Sequence, residues 1–216
     1  MFKRITCYLV LSMSCLTSYA QMQKSLLFGH RAESGFYVLS DNRLVRYPGN
    51  IKVYAHELVV KDEQGKQIKY TPDEVYSAQI GTTHYIAASG FKTKSGFWSV
   101  KQEEKLFVEV VDSGKISLYR YCYTVGGPNY SSRELNTYML YDVALDSTTT
   151  LPVSAYTGKG KRFREALAPF VAARPDLLAL LNNGNISIDE LPAFMHALNT
   201  NQTFIRPKPI PPFGVD

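Results

Sequence analysis

Between Gly35 and Tyr156 the chain is a succession of short apolar runs rich in β-branched and aromatic residues, and no segment of helical length separates them. The runs are GFYVLSD, NIKVYAHELVV, KQIKY, VYSAQI, HYIAAS, KLFVEVV, ISLYRYCYTV, TYMLYDVAL and TTTLPVSAY. Turn-forming clusters such as Asp112-Ser113-Gly114 lie between them. Strands that follow one another without a crossover helix pair antiparallel, so the pattern predicts a β sandwich or a partly closed barrel.

Two short segments of this β region carry additional local sequence signals. In YTPDEV, Thr71 and Glu74 have the spacing of a capping box around Pro72, which predicts a single helical turn between two strands. In residues 51–60 the alternation of apolar residues changes phase. We interpret this change as a β-bulge near His56 and Glu57 within one strand.

After Tyr156 the apolar spacing becomes that of amphipathic helices, which predicts a short helical segment over residues 157–199. Three helices are expected, with the apolar residues Phe163, Leu167 and Phe170; Leu177, Leu178 and Leu181; and Leu191, Phe194, Met195 and Leu198. Pro175 suits the opening of the second helix. Ser187 and Glu190 have the spacing of a capping box, but Pro192 favours a start of the third helix at Asp189. Residues 200–216 are proline-rich and are predicted to be extended, either along the surface or loose.

The first twenty residues have the pattern of a secretory signal peptide. Lys3 and Arg4 precede an apolar stretch, and Ser18-Tyr19-Ala20 supplies a cleavage signal before Gln21. Acylation of Cys15 is the less favoured alternative, because Ser12-Met13-Ser14 does not match a lipobox. The pattern predicts an exported protein located in the periplasm, at the outer membrane or outside the cell, with a lead-in over residues 21–34 and no transmembrane span in the mature chain.

Cleavage there would lower the net charge from +5 to +3, since Lys3 and Arg4 leave and no acidic residue does. So small an excess over so long a chain argues against a nucleic-acid partner. Cys7 and Cys15 would also leave, so the mature chain would have no internal disulfide. Cys122 is then interpreted as a small buried hydrophobic residue.

The register of the hairpin formed by residues 107–111 and 116–125 determines on which face of the sheet the tyrosines of ISLYRYCYTV lie. A three-residue loop with a left-handed Gly114 would pair Val110 with Ile116. One face would then be aliphatic, and the other would present Phe107, Tyr119, Tyr121 and Tyr123 as the candidate binding residues. The favoured interpretation is that the helices pack on this aromatic face, with an exposed partner-binding platform and the opposite register as alternatives.

No catalytic or metal-binding constellation is marked by local spacing. Cys122, His84 and Asp142 are the one thiol set considered, and a strand interior is a poor setting for a reactive thiolate. His30, His56, His84 and His196 lack metal-ligand spacing. LLNNGNISIDEL resembles half of an EF-hand loop but has Ala179 and Leu181 at ligand positions, so it is interpreted as a helix-to-helix turn. We therefore expect no cofactor and no metal.

The order of several motifs resembles a group of small secreted envelope proteins of Bacteroidota bacteria. These motifs are the export signal ending in Ala-Gln, IKYTPDEV followed by YI, GKISLYRY, and FREAL, RPDLLALL and LPAFMHALN near the end. The resemblance implies an envelope location and a strand-then-helix order, and it implies no catalytic residues. Asp146-Ser147-Thr148 resembles the O-glycosylation acceptor triplet of such bacteria, with Ser147 or Thr148 as the acceptor.

The sequence therefore predicts an α+β protein with an antiparallel β domain over residues 35–156 and a helical appendage packed on it. The leading functional hypothesis is a non-catalytic binding module whose partner is an envelope protein or a glycan. A hydrolase with a site assembled from distant strands and an envelope assembly component are the alternatives. The oligomeric state is left open.

Overall fold

The computed structural model describes residues 32–62, 64–94, 100–126, 132–152 and 160–208. The predicted signal peptide and its cleavage site between Ala20 and Gln21 lie outside these residues, as do most of the lead-in and the end of the tail. Within the described part of the chain, no helix is long and apolar enough to cross a membrane.

The β region forms one large antiparallel sheet in the order β12-β11-β10-β9-β6-β5-β1-β2-β3-β4, and β7 and β8 form a separate small hairpin. The strands are β1 (Glu33–Leu39), β2 (Tyr47–Val53), β3 (Leu58–Lys61), β4 (Gln67–Tyr70), β5 (Val75–Ile80), β6 (Thr83–Ser89), β7 (Lys92–Lys94), β8 (Val100–Gln102), β9 (Lys105–Asp112), β10 (Ile116–Gly126), β11 (Ser132–Asp142) and β12 (Ser147–Thr150). The predicted α+β class with an antiparallel β domain is confirmed, and the ten-stranded sheet is not closed into a barrel.

The phase change within residues 51–60 is a hairpin turn and not a bulge. Tyr54 donates its backbone N–H to the Glu57 carbonyl over 2.8 Å, which closes the turn between β2 and β3. Val53 is paired with Leu58, so both side chains point to the same face. The carbonyl of Ala55 in this turn accepts the Phe107 N–H of β9 over 2.9 Å, because the sheet curls far enough to bring them together.

The helical segment contains α1 (Lys161–Val171), α2 (Pro175–Asn182) and α3 (Leu191–Thr200), with a single 3₁₀ turn at Ile188–Glu190 before α3. Pro175 opens α2 as predicted. The Ser187–Glu190 capping box is formed, but it caps the 3₁₀ turn. The predicted start of the third helix at Asp189 is wrong, because α3 begins at Leu191 and thereby places Pro192 in its first turn, where a missing N–H costs little.

The three helices pack on one side of the sheet, which we call the helix face. Their fully buried side chains, among them Phe163, Leu177 and Phe194, form a continuous cluster with Leu118 of β10 and Leu140 of β11. A second cluster lies further along the same face, between β9 and β4, and includes Tyr37, Ile51, Leu58, Val75 and Phe107.

The register of β9 and β10 differs from the predicted one. Tyr119 pairs with Val110 and Arg120 with Glu109, and an irregularity between Leu118 and Tyr119 leaves Val111 as an extra residue on β9. The difference is an odd number of residues, so β9 is turned over relative to the prediction. The predicted left-handed Gly114 is also wrong, since Gly114 does not have a positive φ.

A contact from α3 accounts for the wider turn between these strands. The side chain of Asn199 accepts the Ile116 N–H over 3.2 Å and donates to the Ile116 carbonyl over 2.8 Å. It also donates to a carboxylate oxygen of Asp112. Asn199 therefore satisfies backbone groups that a tight hairpin would pair across the strands.

Candidate functional site

Three of the four predicted binding residues lie together on the side of the sheet opposite the helices, which we call the tyrosine face. Tyr119 and Tyr121 are each only 7% exposed, and Tyr123 is half-buried. The rings of Tyr121 and Tyr123 stack with their centroids 5.5 Å apart. Phe107 is fully buried and shares the helix face with Glu109, because the register of β9 is shifted.

The β7–β8 hairpin and the residue before it cover Tyr121 and Tyr123 on the tyrosine face. Phe91, fully buried just before β7, packs edge-on against Tyr121 at 5.4 Å between centroids. The Lys94 N–H donates to the Tyr123 hydroxyl over 2.9 Å. Burial raises the pKa of Tyr121 to about 12. The prediction that the helices pack on the tyrosines is therefore wrong, because they pack on the aliphatic face.

The thiol set does not assemble. His84 is paired with Val110, which is paired with Tyr119, so these side chains share the tyrosine face. Cys122 is three residues beyond Tyr119 on the same strand and points to the opposite face. Burial raises the pKa of the Cys122 thiol, which disfavours the thiolate that a nucleophile requires. Asp142 accepts the N–H groups of Ala144 and Leu145 and so closes the β11–β12 turn.

Half of the predicted capping box at Thr71 and Glu74 is formed, and it has a structural role, while the Glu74 N–H donates to the Thr71 carbonyl over 3.1 Å. Glu74 accepts hydrogen bonds from the Thr71 N–H and hydroxyl, and the backbone hydrogen bond is the main cause of its lowered pKa. Asp73 pairs with Lys105 at 2.9 Å. These two carboxylates border a hollow of about 340 Å³ with Asp41 and Tyr70. Both are engaged by neighbouring groups of the chain, so we do not interpret the hollow as an acidic binding site.

A second concavity lies on the side of the sheet that faces away from the helices, over β2, β3 and β4. We call it the lysine groove. Its volume is about 210 Å³, and its lining residues include Lys52, Lys61 and Lys69 with Asn50, Tyr54, Glu57, Val59 and Gln67. Strand register places Lys52, Val59 and Lys69 in one row across the three strands, and Asn50, Lys61 and Gln67 in the next.

The groove has an excess of positive charge. Lys69 is paired with Glu57 at 2.9 Å, and the Lys52 ammonium lies 4.7 Å from the centre of the Tyr54 ring. Within the described part of the chain, neither Lys52 nor Lys61 has a carboxylate partner. Three ammonium groups therefore face one carboxylate, an arrangement that can hold an anionic ligand by charge and hydrogen bonds.

Sequence reasoning missed this groove because it read residues 51–60 as one strand. On a single bulged strand, Lys52 and Lys61 do not meet. The hairpin turn at Tyr54–Glu57 brings them onto neighbouring strands of one surface. The signal in the sequence was the phase change itself, which fits a four-residue turn as well as a bulge.

Comparison of the chain with protein-family models, with curated proteins and with solved structures finds no match. Among the described residues, no three His, Cys, Asp or Glu side chains gather in an arrangement suited to a metal ion. The lysine groove is thus the candidate site on the strength of its own geometry.

Proposed function

We propose that this protein is a secreted, non-catalytic binding module of the bacterial cell envelope, and that the lysine groove is its recognition surface. The observation that carries the proposal is the convergence of three lysines from three strands on one concave surface, against a single carboxylate. The N-terminal pattern of a signal peptide and the resemblance to Bacteroidota envelope proteins support the envelope location.

Binding is favoured over turnover by the placement of the reactive side chains. Cys122 and His84 are on opposite faces of the sheet, and the groove itself presents ammonium groups, amides, one ring and the Glu57 carboxylate. These groups hold a ligand by charge and hydrogen bonds, and the carboxylate of the groove is engaged in an ion pair with Lys69 at 2.9 Å.

The test is cosedimentation of the purified chain, from residue 21 onward, with isolated Bacteroidota envelopes. The proposal expects retention of the wild type and loss of retention in the double variant Lys52→Gln, Lys61→Gln. The matched control is Lys92→Gln, Lys94→Gln, which removes the same charge from exposed lysines of β7 outside the groove. Treating the envelopes with protease or with periodate separates a protein partner from a glycan.

Wild-type protein that remains in the supernatant would contradict the proposal. An equal loss of retention in the two double variants would do the same, because it would mean that net charge alone, and not the groove, holds the protein to the envelope.

A further inference from the structure

The lysines of the groove are spaced widely and regularly. Lys52 lies on β2 and Lys69 on β4 in the same cross-strand row, with Val59 of β3 between them. Neighbouring strands are about 4.8 Å apart, so the backbones of β2 and β4 at these two lysines are separated by about 10 Å. Lys61 lies one row further along and offset from both. An extended ligand with its negative charges on separate groups can therefore reach lysines of both rows.

Protection of the sheet edge does not account for these lysines. Lysine on an edge strand discourages pairing with another chain, and Lys69 is on the edge strand β4. Lys52 and Lys61, however, lie on β2 and β3, whose two neighbouring strands are both in place. Two of the three positive charges are therefore on strands with no open edge to protect.

The groups between the lysines suit sugar hydroxyls and the apolar faces of sugar rings. The amides of Asn50 and Gln67 flank Lys61 in its row and can both donate and accept hydrogen bonds. Val59 supplies apolar surface beside Lys52, whose ammonium lies over one side of the Tyr54 ring. A single nucleic-acid strand carries one phosphate per about 3.4 Å of helix axis, closer than the spacing of the lysine-bearing strands, and would leave these polar groups unused.

We infer that the lysine groove binds an acidic saccharide, an extended chain of sugars that carry carboxylates. The inference rests on the proposed function and names its ligand class. The carboxylates pair with Lys52 and Lys61, and the amides of Asn50 and Gln67 bind hydroxyls. Lys69 contributes less, because Glu57 already occupies it at 2.9 Å.

The experiment measures equilibrium binding of tetragalacturonate to the purified chain by calorimetry, with its fully methyl-esterified form as the neutral probe. The acidic tetramer should bind and the ester should not. Lys52→Gln and Lys61→Gln should each weaken binding about two- to fivefold, as expected for exposed ion pairs, and Lys69→Gln should weaken it less. Raising the salt concentration should weaken binding further.

Glu57→Gln separates a binding role from a structural one. It removes the carboxylate that competes for Lys69, so it should tighten tetragalacturonate binding about twofold. Circular dichroism of each variant confirms that the sheet is intact. Lys92→Gln serves as the control outside the groove and should leave the affinity unchanged.

Equal binding of the neutral ester would overturn the inference, as would unchanged affinity in Lys52→Gln and Lys61→Gln. Tighter binding of polyphosphate, of anionic phospholipid vesicles or of single-stranded DNA would assign the groove to another class of anion and also overturn it. If tetragalacturonate fails while envelope retention still depends on Lys52 and Lys61, the ligand class is wrong and the proposed function stands. If retention also fails, both are wrong.

Discussion

Arg120 and Glu109 form a nearly buried ion pair on the helix face of β9 and β10. Their side chains are 10% and 13% exposed, and Arg120 Nη2 lies 2.6 Å from Glu109 Oε2. Burial disfavours the charged form of Arg120, but Glu109 outweighs it and raises the Arg120 pKa. Each charge is tolerated there because the other is present.

Removing one partner should therefore be costly. Arg120→Met should lower the free energy of unfolding by about 3–5 kcal/mol, because the nearly buried Glu109 carboxylate loses its guanidinium partner. In urea denaturation, the double variant Arg120→Met, Glu109→Leu should lower the free energy of unfolding less than Arg120→Met alone. The exposed pair Lys161–Glu165 is the control, and Lys161→Met there should cost no more than about 0.5 kcal/mol. Equal costs at the two sites would contradict this assignment.

Gly114 makes room for the α3 side chain that holds the β9–β10 turn. A Cβ at Gly114 would overlap the side chain of Asn199. Gly114→Ala should lower the free energy of unfolding by about 1–3 kcal/mol through this overlap, and the neighbouring exposed Ser113→Ala by no more than about 0.5 kcal/mol. The cost of Gly114→Ala should shrink in an Asn199→Ala background, where the space is free. An undiminished cost would mean that the overlap is not its cause.

At the scale of elements, the β7–β8 hairpin has the role that the sequence suggested for the helices, which is to cover the tyrosines. Phe91→Ala should lower the free energy of unfolding by about 3–5 kcal/mol, as for other buried aromatic residues. It should also increase nitration of Tyr121, measured by mass spectrometry. Val100→Ala, in the same hairpin but 64% exposed, should change neither. Unchanged nitration of Tyr121 in Phe91→Ala would refute the covering role.

The turn before α3 depends on Glu190, which accepts hydrogen bonds from the Ser187 N–H and hydroxyl, both over 2.8 Å, and pairs with Arg206. Burial alone would raise the Glu190 pKa, but the Ser187 hydrogen bonds and Arg206 outweigh it and lower the pKa below 4.5. A carboxylate with a lowered pKa stabilises the fold above its ordinary pKa, and this contribution is lost as the pH falls through the lowered value.

Glu190→Gln should therefore destabilise the protein at pH 7 by about 1 kcal/mol, the usual contribution of a cap. The difference from wild type should narrow as the pH falls below 4.5, measured by urea denaturation at several pH values. Glu165→Gln, on the exposed surface of α1, should show no such dependence. A difference that is constant with pH would contradict the role of the Glu190 charge.

At the scale of the whole molecule, the helices and the sheet share one core, so they should unfold together. Phe194 of α3 is fully buried in the cluster that contains Leu118 and Leu140 of the sheet. Phe194→Ala should lower the free energy of unfolding by about 3–5 kcal/mol. The far-ultraviolet and tyrosine near-ultraviolet transitions in urea should remain coincident. Loss of helical signal before the tyrosine signal would show that the helices are an independent unit.

Patterns within short segments were enough to predict the class and several of its parts. The strand-like runs predicted the antiparallel sheet, and the apolar spacing after Tyr156 predicted the helical segment. Thr71 with Glu74 predicted the hydrogen bond from the Thr71 N–H to the Glu74 side chain, because such a cap is a contact between residues three apart. The spacing of Ser187 and Glu190 indicated the other capping box, although Pro192 favoured a helix start at Asp189. Such features depend on residues that are close together in the sequence, so they can be predicted from a single sequence.

Only the tertiary structure determined the contacts between distant segments. Asn199 is more than eighty residues from Ile116, yet it holds the turn that sets the register of β9 and β10. That register in turn decides which face the tyrosines share. Lys52, Lys61 and Lys69 form one surface only once the hairpins of β2, β3 and β4 are paired. The physical reason is that local sequence alone does not determine which face of a strand is covered. That depends on the register and on the elements that pack on each face, which come from distant parts of the chain.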